Sequence, residues 1–208
     1  MLHKPLQKAR FGTSTVPGVV FDDGEKVVGS RAIMEAIDAR RPDPPLRPAD
    51  GKQRRAVDDA EEWGEQVLQP IVRRLTWWAL TQDTGAQLSY LGDAKLFPPT
   101  PRAAAKMVGR PVAWMERKFN DVDEAAVRAD LAHLPSHLDR VDRWIEEGVI
   151  GGESPNVADL QIAPSLRLLL TLDDLRESID ARPSGKLARR LFPDYPGRVP
   201  AGVLPAPG

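Results

Sequence analysis

Three hydroxyls in a row, Thr13, Ser14 and Thr15, run directly into Val16 and Pro17. Such hydroxyls do chemistry only where a neighbour activates them, and here they read as loop residues. The Val16–Pro17 bond is a permissible cis site, since cis peptides are nearly confined to X–Pro. Further on, Ser30 stands before "RAIMEAI", where its hydroxyl can cap a helix start. A helix start is also a place to hold a carboxylate. His133 and His137 are four apart and can share a helix face. No HExxH pattern accompanies them, Pro135 lies between and no third ligand is evident, so a solvated or interface pair outweighs a metal site. Trp63, Trp77, Trp78, Tyr90 and Trp114 either line an apolar pocket for a small molecule or belong to the core. The run "DDAEEWGE" is most simply a solvated helix face with favourable N-terminal charge.

The elements that must position these residues fall into two parts. Val16, Val19, Val20 and Phe21 suit a strand, Asp22-Asp23-Gly24 a turn, and Glu25 to Val28 the return strand of a hairpin. A helix follows, with Ala32, Ile33, Ala36 and Ile37 on its apolar face. A two-stranded hairpin is marginal alone, so the unit needs partners. "RRPDPPLRPADG" reads as a linker, giving a small α/β unit over 1–41, a linker over 42–49 and helices over 50–195.

Within the helical part, Val57, Ala60, Gly64, Val67, Leu68, Ile71, Leu75 and Trp78 keep one long helix face, which Pro70 should kink. A loop containing "LFPPTP" precedes a helix from Arg102 to Phe119, bent at Pro111. Leu131, Leu134, Leu138, Val141, Trp144 and Ile145 predict a helix from Val122 to Glu147, stopped by Gly148. In "SPNVADLQIAP", Asn156 and Asp159 form a capping box for a helix apolar on nearly every side, which belongs inside a bundle. Residues 196–208, rich in Pro and Gly, predict an extended surface tail.

Composition narrows the classes. The chain has 208 residues, 41% hydrophobic and 28% charged, which is ordinary for a globular protein of one or two domains. A formal net charge of -1, with basic clusters only at Arg73-Arg74 and Arg189-Arg190, argues against nucleic acid. There is no cysteine, which excludes disulfides, thiolate metal sites and a thiol nucleophile in these residues. No apolar run is long enough to span a membrane and "MLHKPLQKAR" lacks a signal-peptide core, so the expected address is the cytoplasm.

The order of "VP", hairpin, "GSRAI", proline-rich linker, kinked helix and capped buried helix resembles the soluble glutathione S-transferases. The resemblance covers nearly everything from Thr15 and implies a partial thioredoxin-like α/β unit followed by an all-helical domain. It implies that the Val16 backbone pairs with the cysteinyl part of glutathione and that Pro17 is a cis-proline. Ser30 and the backbone N–H of Arg31 would hold the γ-glutamyl carboxylate. Asn156 and Asp159 would be the structural cap. Trp63, Trp78, Tyr90 and Trp114 are the candidate lining for an apolar electrophile. The family carries an acid before the serine; here Gly29 offers no side chain. Its catalytic Tyr, Ser or Cys comes from a strand–helix unit upstream of the proline, which is expected to lie before this start.

The implied activity is therefore glutathione conjugation to an apolar electrophile in a full-length form, weak or absent in residues 1–208. The catalytic residue is not identified, glutathione is the substrate, no metal is implied and a homodimer is expected. The alternatives are a non-catalytic glutathione-transferase-like binding module and a helical assembly protein whose hairpin is a dimer edge.

Overall fold

The computed structural model describes residues 3–91 and 102–208. The loop read at "LFPPTP" lies outside them. Two compact units emerge, Met1–Arg54 and Arg55–Gly208.

In the first unit, α1 (His3–Phe11) leads into β1 (Gly18–Val20), β2 (Lys26–Val28) and α2 (Ser30–Arg40). The strands pair antiparallel in the register Gly18↔Val28, Val19↔Val27, Val20↔Lys26. Gly24 turns the hairpin at φ 86°, a left-handed conformation that favours glycine. Asp23 supports the turn by accepting the Glu25 N–H at 2.9 Å. α1 was not expected from the sequence. It lies against β1 where Gly18 has no side chain: a Cβ there would sit 3.0 Å from the Phe11 ring. Gln7 fixes the approach by donating to the Thr15 carbonyl at 2.7 Å. Among the described residues of this unit the buried apolar side chains are Ile33 and Met34, while Ile37 is exposed.

The second unit is helical. α3 (Gly51–Trp63) passes through a π-helical stretch, Gly64–Leu68, into α4 (Gln69–Gln82). Pro70, where the sequence predicts a kink, lies just beyond that stretch. Its ring crowds the preceding turn and it lacks an N–H. The backbone answers by widening, with the Gln69 N–H reaching back to the Gly64 carbonyl. The stripe survives the change: Val57, Ala60, Leu68, Ile71, Leu75 and Trp78 are all buried.

A 3-10 turn (Ala86–Leu91), α5 (Arg102–Phe119) and α6 (Glu124–Glu146) follow, then α7 (Val157–Leu169), α8 (Asp173–Asp180) and α9 (Pro183–Leu191). α6 is capped by Asp123, which accepts the Ala126 N–H. It ends in a Schellman motif, with Val149 N–H on the Trp144 carbonyl, Gly148 N–H on the Ile145 carbonyl and Gly148 at φ 72°. Arg74 of α4 and Asp130 of α6 form a two-pronged ion pair at 2.7 and 2.8 Å.

α7 is the axis of the unit. Val157, Ala158, Ile162, Ala163, Leu166 and Leu169 have no exposed surface. Each large apolar side chain so buried contributes about 1.5–3 kcal/mol. Close approach is possible because Gly64 opens the π stretch toward α7: a Cβ there would lie 2.9 Å from Ile162 Cγ1.

The tail is extended, as its composition predicts, but it is more than a surface strap. Val199 is fully buried and bridges Leu172 in parallel. The Asp174 carboxylate accepts the backbone N–H groups of Gly202, Val203 and Leu204 at 2.7–3.2 Å. Among the described residues no helix is long and apolar enough to cross a membrane.

Candidate functional site

In the first unit, the Val16 edge and the start of α2 are pinned side by side. The Pro17 carbonyl accepts the Gly29 N–H at 2.9 Å, one residue before the β1–β2 ladder begins. The Val16–Pro17 peptide is cis, and Val16 is 49% exposed. Ser30 does not cap α2. Gly29 holds the N-cap position at φ 94°, no side chain bonds there, and Ser30 is the first helical residue. The reason is geometric: the chain leaves β2 through a left-handed residue, so the helix starts one position earlier than the hydroxyl suggests. No side chain caps α2, and a helix start of this kind is a seat for a carboxylate. Gly29 itself is explained by the same φ, which an L side chain adopts only with strain.

The hydroxyls beside this edge are engaged locally. Thr13 Oγ1 lies 3.1 Å from Thr15 Oγ1 and accepts the Thr15 N–H at 3.2 Å. The arrangement has the parts to bind an extended backbone and a carboxylate.

In the second unit, the Asn156–Asp159 box is complete. Asn156 Oδ1 accepts the N–H groups of Ala158 and Asp159, and Asp159 Oδ2 accepts the Asn156 N–H at 3.0 Å. The box extends beyond its sequence signature. Asp159 Oδ1 also takes the Gly151 N–H at 2.8 Å, and Asn156 Nδ2 donates to the Val149 carbonyl at 2.8 Å. Asp159 has no exposed surface. Burial pushes its carboxyl above the usual Asp range, against the pull of these two amides and Arg190.

The four aromatic residues named for a substrate pocket do not converge. Trp63 packs edge-on against Trp144 at 5.2 Å and beside His137 at 5.7 Å. Trp78 is buried, and its indole N–H donates to the Val203 carbonyl at 3.1 Å. Trp114 is 66% exposed beside Lys118. Trp114 lines an open surface cleft with Arg117, Lys118 and Asp121, while Tyr90 reaches a separate cavity of about 320 Å³, joined there by Trp77 and by Arg73, Thr76, Leu80 and Leu168. Arg73, Thr76, Trp77 and Leu80 are spaced i, i+3, i+4, i+7 on α4. The sequence shows Trp77 as either pocket or core, and helical spacing does not distinguish a cavity wall from core.

Tyr90 is held firmly. Thr171 Oγ1 donates to the Leu168 carbonyl at 2.6 Å, so the Tyr90 hydroxyl, 2.6 Å from Thr171 Oγ1, is the donor of that pair. Desolvation raises the Tyr90 pKa above its ordinary value. On its other side lies Gly197 of the tail, where a Cβ would overlap the ring. His137 is pushed below its ordinary pKa by burial and by His133, whose Nδ1 lies 2.8 Å from the Ala129 carbonyl. Among the described residues no three His, Cys, Asp or Glu side chains gather as a metal site.

Neither a protein-family model nor a curated protein matches the chain. Among solved structures, a glutathione S-transferase from Rhodospirillum rubrum F11 matches 96% of this chain and 81% of its own, with a TM-score of 0.55 and 19% identity. The fold is therefore that of a glutathione S-transferase, with a partial thioredoxin-like unit followed by the helical domain.

Proposed function

We propose that this chain is a glutathione S-transferase-like protein that binds glutathione along Val16 and Pro17 and at the α2 start formed by Ser30 and Arg31. The observation that carries the reading is the Gly29–Pro17 hydrogen bond, which sets a backbone edge next to uncapped helix amides. The edge suits the peptide part of the ligand and the amides suit its γ-glutamyl carboxylate. The second substrate is an apolar electrophile, and the protein is a cytoplasmic homodimer. The chain binds glutathione and conjugates it weakly or not at all, because the Thr13 and Thr15 hydroxyls are engaged with one another rather than offered to a thiol. The same observation favours the second reading, a non-catalytic binding or assembly module.

Calorimetric titration with glutathione tests the binding. Ser30→Ala is expected to weaken it by about tenfold, the loss of one hydrogen bond to a charged group. Absence of any binding would overturn the reading. Conjugation of glutathione to chlorodinitrobenzene separates the two alternatives, since a module shows none in any form of the protein.

A further inference from the structure

We propose that Trp63, His137, Arg140 and Trp144 form a proton-sensitive latch, which holds the end of α3 against α6 and opens in mild acid. Every residue used belongs to the second unit, so the latch is independent of the glutathione reading.

Spacing and ring contacts build the latch. His133, His137, Arg140 and Trp144 recur at i, i+4, i+7 and i+11, so they share one face of α6. Trp63 meets that face as the last residue of α3. Its indole lies 5.7 Å from the His137 ring and 5.2 Å, edge-on, from Trp144. The Arg140 guanidinium stands over both indoles, 5.5 Å from Trp63 and 5.1 Å from Trp144. Arg140 thus already supplies the cation–π attraction of this pair. An imidazolium at position 137 would be a second cation on the same rings, beside the first. What the latch holds is a junction of two helix types. The π-helical stretch begins at Gly64, which approaches Ile162 so closely that a side chain has no room.

The charges around His137 decide the direction. His133 and Arg140, both on α6, oppose its protonation. Asp130, also on α6, favours it, but Arg74 of α4 already holds that carboxylate with both prongs at 2.7 and 2.8 Å. From α3 the group in contact is the uncharged Trp63 ring. Of the α3 acids near Trp63, Asp59 stands one turn back and is exposed, and Glu62 accepts the Gln66 amide at 2.8 Å. Burial, His133 and Arg140 together push the His137 pKa below its ordinary value, against the pull of Asp130. A lowered folded pKa means that the fold accommodates the neutral ring. The latch is therefore closed above the ordinary histidine pKa of about 6.5 and is lost as pH falls through the folded value.

Proton NMR of the full chain tests the charge side, because three histidines give few ring signals and His137→Gln assigns the relevant one. The His137 ring is expected to titrate with a midpoint below about pH 6.5. Arg140→Gln removes like charge and is expected to move that midpoint upward. Amide exchange, corrected for intrinsic rates, reads the latch itself. Protection of the Gly64–Leu68 amides is expected to fall severalfold between about pH 7.5 and about pH 5, while protection in α7 stays level. In His137→Gln that fall is expected to vanish. A His137 midpoint at or above that of free histidine, or one unmoved in Arg140→Gln, would overturn the proposal. So would an absent fall in protection, an equal fall in α7, or a fall that survives His137→Gln.

Discussion

At Asp159, one carboxylate holds two backbone amides in a place that water does not reach. Asp159→Ala leaves both donors unsatisfied at a buried helix start, so it should cost about 1–2 kcal/mol, the upper part of the capping range. The pH dependence has a definite sign. Desolvation raises the folded pKa above the unfolded value, so this group favours the fold below the ordinary Asp pKa. That contribution is lost as pH rises through the folded pKa. The penalty for Asp159→Ala should therefore be larger near about pH 4 than near neutral pH. Urea unfolding of both proteins at the two pH values checks it; a penalty that grows toward neutrality would contradict the burial account. The pair Asn156 and Asp159 was legible because a capping box is a local signal. Ser30 was misplaced for the opposite reason: the φ of Gly29, which decides where α2 starts, leaves no mark in residue spacing.

Helices with regular apolar stripes were readable to within a few residues. The Arg102–Phe119 helix matches its predicted bounds, and α6 differs from its prediction by two residues at its start and one at its end. α1 was missed because "HKPLQKARF" carries few apolar residues, and its docking on Gly18 is a tertiary effect. The pocket aromatics were misgrouped because helical spacing tells which face a residue shares, not which helix it meets. Where α8 turns into α9, the packing depends on one missing methyl. A Cβ on Gly185 would overlap the Ile179 carbonyl and lie 3.0 Å from Asp180 Cα. Backbone cannot step aside as a side-chain tip does. Gly185→Ala should destabilise by about 2–3 kcal/mol, the upper part of the overpacking range. A lowered urea midpoint with an unchanged denaturant slope is the expected result.

The two units differ sharply in what holds them. The first has a two-stranded sheet and a core of Ile33 and Met34, while the second is built around a helix with no exposed apolar side chain over several turns. Local stability follows buried apolar contact. Hydrogen exchange should therefore release amides of β1, β2 and α2 well before those of α7, whereas a single shared rate would contradict the difference in cores. The tail belongs to the stable part. Removing residues 197–208 takes away the buried Val199, the partner of Trp78 and the three amides on Asp174. It should lower stability by about 3 kcal/mol or more, read as a fall in urea midpoint together with faster proteolysis. The tail's extended form was legible from its prolines; its docking was not, because Val199 finds Leu172 across the chain.

The wide turn at Gly64–Leu68 has a consequence for the lineage of this sequence. A turn closed over five residues instead of four holds one residue more than the regular helix needs. When related chains are aligned, a single-position gap belongs inside this stretch and nowhere else along Gly51–Gln82. A variant lacking one of the five residues would close the stretch as regular helix and keep Val57 and Ala60 on the stripe that buries them. The same deletion anywhere else along Gly51–Gln82 would spin everything before it by roughly 100° relative to α4. Length changes are thus tolerated at this one place in the helix, although the stretch looks from its composition like ordinary helix.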